Sequence, residues 1–264
     1  MAVITGDGGD NHLVGGAGPD EIRGLGGNDI LEGVGGDDFL DGGDGDDVIL
    51  AGGAGDQIVG GSGTDVADYS GLSEGIRIFD GSRFGAPGSL MVQAADGSGA
   101  PGSIEGVETI IGSGQDDTIF VGMGSVREIR AGDGDDLIFG SFFDDVIDGG
   151  AGNDVLAGFL GDDVITTGGG VDFIFVDRDI ENGATTGHGH DVVTDFDVTM
   201  DVLVVEYDAD QESYDPFADL TQTAEGALLT MADDSSILLL GVDVMELNAM
   251  NLMVQAEDNS AFVA

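Results

Sequence analysis

In two stretches of the chain nearly every ninth residue is a short oxygen donor. The first stretch runs Asn11, Asp20, Asp29, Asp38, Asp47, Asp56 and Asp65. The second runs Asp117, Arg127, Asp136, Asp145, Asp154, Asp163 and Asp172, with one extra residue, Val121, after its first unit. Most donors close a glycine-rich hexapeptide, most cleanly Gly15-Gly16-Ala17-Gly18-Pro19-Asp20 and Gly149-Gly150-Ala151-Gly152-Asn153-Asp154, while Phe142 and Phe143 replace turn residues before Asp145 and Ala51 and Ala54 stand where glycine is expected before Asp56. A carboxylate beside a glycine turn that exposes backbone carbonyls is a set of hard oxygen ligands, suited to a divalent cation that takes about six to eight of them. Asparagine still offers an oxygen. Arg127 cannot ligate a cation; it either sets its own positive charge where an ion would sit or points to solvent from an irregular unit.

The repeat also supplies the elements that would hold these donors. With each unit numbered one to nine, position eight reads Leu13, Ile22, Leu31, Leu40, Ile49, Ile58 and Ala67, then Ile119, Ile129, Ile138, Ile147, Leu156, Ile165 and Ile174. Composition by itself would admit disorder, but disordered low-complexity sequence does not keep a carboxylate column and an aliphatic column in register. The pattern implies a glycine turn followed by a strand of about three residues with one inward aliphatic side chain, stacked as a solenoid over a narrow core. Fifty glycines and many aspartates argue against long helices, so the fold class is all-β.

Charge narrows the partners. There are 53 acidic residues against 6 basic ones, all arginine, for a net charge of −47. Such a surface repels nucleic acid and anionic lipid, which are bound through lysine and arginine, and attracts cations. The absence of cysteine removes disulfides, thiol nucleophiles and thiolate metal sites. Met1 to Asp7 has neither a basic region nor an apolar run of signal-peptide length, and no membrane span of ~20 apolar residues occurs. Catalytic signatures are missing too: there is no Gly-x-Ser-x-Gly elbow and no His-Glu-x-x-His. Gly97-Ser98-Gly99-Ala100-Pro101-Gly102 has nucleotide-loop spacing without a following helix, and His188-Gly189-His190-Asp191 reads as a solvated loop before a transition-metal site.

The units Gly-Gly-x-Gly-x-Asp-x-aliphatic-x resemble the RTX, or hemolysin-type, calcium-binding nonapeptide repeat. The resemblance implies a parallel β-roll in which two nonapeptides make one 18-residue turn and Ca2+ ions lie between loops one full turn apart. It pairs Asn11 with Asp29, Asp20 with Asp38, Asp29 with Asp47, Asp38 with Asp56 and Asp47 with Asp65. In the second array it pairs Asp117 with Asp136, Asp136 with Asp154, Asp154 with Asp172 and Asp145 with Asp163, while Arg127 opposite Asp145 is expected to leave a site empty. About nine ions would bring the charge to near −29. Asp191 and Asp195 are expected to complete a last site.

The same resemblance organises the rest of the chain. Residues 1–68 are a first calcium-binding β-roll, 69–111 a β insertion, 112–175 a second roll, and 176–264 closing strands, a small β-rich cap and a C-terminal type 1 secretion signal. Ala227 to Met231 and Ser236 to Leu240 read as a hairpin, and Val242 to Val254 as a short amphipathic helix. With repeats starting near Met1, no catalytic domain is expected. The implied protein is a non-enzymatic, extracellular calcium-binding module that folds on extracellular calcium and serves as a structural or binding element. Its expected partners are calcium ions, the type 1 secretion machinery, and a cell-surface or matrix polysaccharide or a second copy of itself. The alternative is a carbohydrate-binding or folding accessory module, or a remnant lacking its catalytic domain, of a type 1-secreted enzyme.

Overall fold

The computed structural model describes residues 1–81, 89–176, 189–207, 216–231 and 235–256. Each nonapeptide places its last three residues on a strand, as in Val48–Leu50 and Val66–Asp68, and several strands, such as Glu21–Gly26, run on into the first three residues of the next unit. Successive units alternate between two sheets. Val3–Thr5, Glu21–Gly26, Phe39–Asp44 and Gln57–Ser62 begin one sheet, and His12–Val14, Ile30–Glu32, Val48–Leu50 and Val66–Asp68 begin the other. Pairing within each sheet is parallel and eighteen residues apart, so position eight stacks on position eight: Ile4, Ile22, Leu40 and Ile58 on one side, Leu13, Leu31, Ile49 and Ala67 on the other. The fold is a parallel β-roll. One aliphatic side chain per strand faces inward because side chains alternate along a strand, and Ile22, Leu31, Leu40 and Ile49 are fully buried.

The two arrays form one continuous stack. In the second sheet, Thr109–Ile111 pairs with Val66–Asp68 before it and Glu128–Asp133 after it, both in parallel. In the first, the insertion splices in an antiparallel trio, Ile76–Asp80, Leu90–Ala94 and Gly102–Glu105, whose outer members pair in parallel with the rolls on either side. Ile76, Ile78, Leu90, Val92 and Ile104 carry the core across this splice. The result is a 13-stranded sheet facing a 12-stranded one. On the second roll, Phe120 stacks on Phe139 at 4.1 Å between ring centroids, and Phe139 lies 5.6 Å from Phe159, so the rings spend their faces on one another.

At the C-terminal end Phe173–Val176, Val202–Tyr207 and Leu252–Ala256 extend the first sheet. His190–Val193, Ser236–Leu240, Gly226–Thr230 and Leu220–Gln222 finish the second, the middle pair as the expected hairpin; residues 232–234 between its strands lie outside the described residues. The short helix expected over Val242 to Val254 does not form. Asp243 caps a single 3-10 turn, Val244–Glu246, and the chain then becomes the strand Leu252–Ala256. Pairing with Val202–Tyr207 covers the open sheet edge and buries Leu252, a gain no isolated helical turn offers. No helix among the described residues is long and apolar enough to cross a membrane.

Candidate metal centre

The position-six residues form two columns, one along each edge of the stack. In each column the backbone N–H of one position-six residue donates to the carboxylate one turn further on. Asn11 donates to Asp29 at 2.7 Å, Asp29 to Asp47 and Asp47 to Asp65 at 2.8 Å. On the other edge Asp20 donates to Asp38 at 2.7 Å and Asp38 to Asp56 at 2.8 Å. The second array repeats this from Asp117 through Asp136 and Asp154 to Asp172, and from Asp145 to Asp163. Every pairing expected from the repeat register is therefore a hydrogen-bonded neighbour pair. Asp191 joins its column by accepting from the Asp163 N–H at 3.0 Å. Asp195 does not: its oxygens accept from the backbone of Thr167 and Gly168.

The turns fall into two classes. In the first, one carboxylate oxygen takes the ladder bond and the other, Oδ2, is buried without any hydrogen-bond partner; these are Asp29, Asp38, Asp47, Asp65, Asp136, Asp154, Asp163 and Asp172. All eight turns have a left-handed position two (Leu25, Val34, Gly43, Gly61, Gly132, Gly150, Phe159 and Gly168) and a position-four glycine at φ between 97° and 151°. We term these turns open. In the second class position two is not left-handed, and its N–H turns inward to fill the second oxygen. Gly16 donates to Asp20 at 2.7 Å, Gly52 to Asp56 at 3.0 Å, Ser113 to Asp117 at 2.6 Å and Ser141 to Asp145 at 2.5 Å. Asp7 donates likewise to the single side-chain oxygen of Asn11 at 2.7 Å.

Position four explains the division. The closed turns of Asp56, Asp117 and Asp145 carry Ala54, Gln115 and Phe143 there, residues for which a positive φ is costly. Gly9 and Gly18, in the closed turns of Asn11 and Asp20, are glycines at position four that do not adopt positive φ. Position two is less strict, since Leu25, Val34 and Phe159 adopt φ of 80°, 75° and 72°. Such a conformation costs a β-branched residue about 1–2 kcal/mol. Val34→Gly is thus expected to stabilise the folded protein by about 1 kcal/mol, measured by urea unfolding in saturating calcium.

Arg127 interrupts one column. Its guanidinium folds back onto its own turn, donating to the carbonyls of Gly124 and Val126, and lies 4.1 Å over the Phe143 ring. It does not reach out to solvent. Two acidic residues absent from the nonapeptide register also stand in the columns. Glu108 Oε2 accepts from the Asp65 N–H at 3.0 Å, and Asp201 accepts from the Asp172 N–H at 3.2 Å while the Asp197 N–H closes its other oxygen at 2.8 Å. Both begin an acidic-x-aliphatic triplet, Glu108-Thr109-Ile110 and Asp201-Val202-Leu203, which is the signal that could have found them. A further ladder runs through position five, where Asn28, Asp46 and Thr64 N–H groups donate to the side chains of Asp10, Asn28 and Asp46 one turn before. His190 Nδ1 lies 3.0 Å from Ser236 Oγ, and His188 is outside the described residues.

The donor set suits a hard cation. Among the described residues no three His, Asp or Glu side chains gather on one point, so an ion would complete its coordination with backbone carbonyls. These are at hand: a Cβ placed on Gly149 would lie 2.7 Å from Asp154 Oδ2 and also 2.7 Å from the Thr167 carbonyl oxygen, so both oxygens face one spot. Bare of a cation the carboxylates are poorly accommodated. Burial, with the Asp191 charge adding to it, pushes Asp163 up to about 8. Burial likewise raises Asp136 and Asp191 to about 7 and Asp65 and Asp172 to about 6. An oxygen that is buried, ionisable and without a donor is a polar group missing its partner.

Comparison with known proteins follows the same lines. The family model of the RTX calcium-binding nonapeptide repeat (4 copies) matches residues 5–40, 32–67, 104–125, 130–158, 139–174 and 156–179, together just over half of the chain. None of the curated proteins matches it in sequence. Among solved structures it is similar to the extracellular lipase of Serratia marcescens, at 17% identity and a TM-score of 0.34 over 96% of this chain and 40% of the lipase. It is also similar to a subunit of the Azotobacter vinelandii mannuronan C5-epimerase, at 23% identity and a TM-score of 0.29 over 53% of this chain and 78% of that one. The chain spans less than half the length of the lipase it resembles.

Proposed function

The chain belongs to the RTX calcium-binding nonapeptide repeat family, and from that premise we propose a secreted module that folds when it meets extracellular calcium and then serves as a structural or binding element. It is a calcium-binding β-roll, and its repeats are a structural module without catalytic machinery of their own. Position-six carboxylates with an unpartnered Oδ2, together with the turn carbonyls, would hold the ions between successive turns; bound calcium supplies the positive charge that lets buried carboxylates stay ionised. The carrying observation is the set of eight buried aspartate oxygens that have no donor. In this reading the segment 176–264 combines the cap of the roll with a C-terminal signal for type 1 secretion, and folding waits until calcium rises from submicromolar to millimolar levels.

Isothermal titration of chelator-treated protein tests the reading. Calcium is expected to bind at several sites per chain in the micromolar to millimolar range, with magnesium, which wants a tighter octahedral shell, far weaker. Absence of calcium binding up to ~10 mM would overturn it.

A further inference from the structure

We propose that only the eight open turns take calcium, and that the closed turns of Asn11, Asp20, Asp56, Asp117, Asp145 and Asp201 take none because a backbone N–H already occupies the place of the cation. This rests on the calcium reading above and narrows it. The two columns then become four separate runs. On one edge Asp29, Asp47 and Asp65 form a run between Asn11 and Glu108, and Asp163 stands alone between Asp145 and Asp191. On the other edge Asp38 stands alone between Asp20 and Asp56, and Asp136, Asp154 and Asp172 form a run between Asp117 and Asp201.

Two independent features converge on this division. The first is electrostatic. In an open turn Oδ2 is buried and unpartnered, whereas in a closed turn the same oxygen accepts from the position-two N–H at 2.5 to 3.0 Å, as at Ser141, Ser113, Gly16 and Gly52. A donor in hydrogen-bond contact offers the carboxylate partial positive charge and excludes an ion from that oxygen. The second is conformational. Every open turn has a position-four glycine at positive φ, which packs its backbone against the turn before it, and no closed turn does. Side-chain hydroxyls reinforce two of the closed turns, since Ser113 and Ser141 also donate through Oγ to Asp117 and Asp145. Beside Asp145 the guanidinium of Arg127, held on the Gly124 and Val126 carbonyls, adds a fixed positive charge. The closed turns therefore act as end-pieces, each completing a run without an ion of its own.

The test counts bound calcium per chain by equilibrium dialysis and elemental analysis at saturating calcium, with far-UV circular dichroism on each sample to establish that it is folded. The intact chain is expected to bind about eight ions, taken as one per open turn. Asp47→Asn and Asp154→Asn, in open turns, should each lower the count by at least one. Asp117→Asn and Asp145→Asn, in closed turns, should leave it unchanged. A folded closed-turn variant that loses an ion, or a folded open-turn variant that keeps them all, would overturn the division. Should a closed-turn variant fail to fold, Ser141→Ala and Ser113→Ala, which remove only the hydroxyl bonds, carry the same expectation of an unchanged count. An intact chain that binds no calcium would instead refute the proposed function itself.

Discussion

Chelated protein at pH 8 is expected to lose its β-sheet circular dichroism and to regain it as calcium is returned. Through the repeats the core is a single file of aliphatic side chains on each sheet, and fifty glycines give the unfolded chain an unusually large entropy to lose. Against that thin core stand the buried carboxylates of the open turns, with burial raising Asp163 to about 8 and Asp136 to about 7. In the same metal-free sample acid should act as calcium does. A carboxyl whose folded value lies above its unfolded one binds more protons when folded. Its destabilising effect is complete only above the folded value, declines steadily once the pH falls below that value (about 8 for Asp163, 7 for Asp136 and 6 for Asp65), and is gone below the unfolded value of 3.8. Lowering the pH from 8 to 5 in chelator should therefore restore part of the β signal, and lowering it in calcium should weaken ion binding, because protons and ions compete for the same oxygens. A chelated chain that keeps full β structure at pH 8 would contradict the coupling of folding to metal.

The periodic parts of the structure were legible because the physics that makes them is local. A nine-residue register fixes which residue faces inward and which residue meets its counterpart one turn on, and Ile22 over Leu40 or Asp136 before Asp154 follow from counting. What counting missed is conformational. Asp117 and Asp136 look alike in sequence, yet the first is closed by Ser113 and the second is open beside Gly132, because Gln115 and Gly134 differ in the backbone angles they permit. The acidic residues Glu108 and Asp201 were hidden by intervening segments that break the count without breaking the stack. Asp195, just past the strand that carries Asp191, accepts from the backbone of Thr167 and Gly168, a placement that depends on how the closing strand docks and not on the repeat count. The segment 69–111 reads in sequence as an insertion joining the two rolls, but it lacks the nine-residue period, so its antiparallel splice into one continuous sheet appears only in three dimensions.

Gly152→Ala is expected to be among the most damaging single-methyl changes available in this chain, and Gly18→Ala, at the same repeat position, to be nearly silent. Gly152 sits in an open turn at φ 144°, a conformation in which an L residue is strained by about 1–3 kcal/mol. A Cβ there would also run into the carbonyl of Gly134 in the preceding turn. That oxygen is backbone and cannot swing aside, so either the turns separate or this one adopts the closed form and surrenders the Asp154 site. Gly18 belongs to a closed turn, does not have positive φ, and a Cβ on it meets nothing within 4 Å; its cost should stay within about 0.5 kcal/mol. Urea unfolding in saturating calcium gives the stability difference, and the calcium midpoint of folding gives the effect on binding. Gly152→Ala should shift both by a wide margin, with the midpoint moving to higher calcium. Equal effects from the two substitutions would mean that glycine at position four matters for chain flexibility in general and not for holding a turn open, and the division of the turns into two classes would lose its conformational basis.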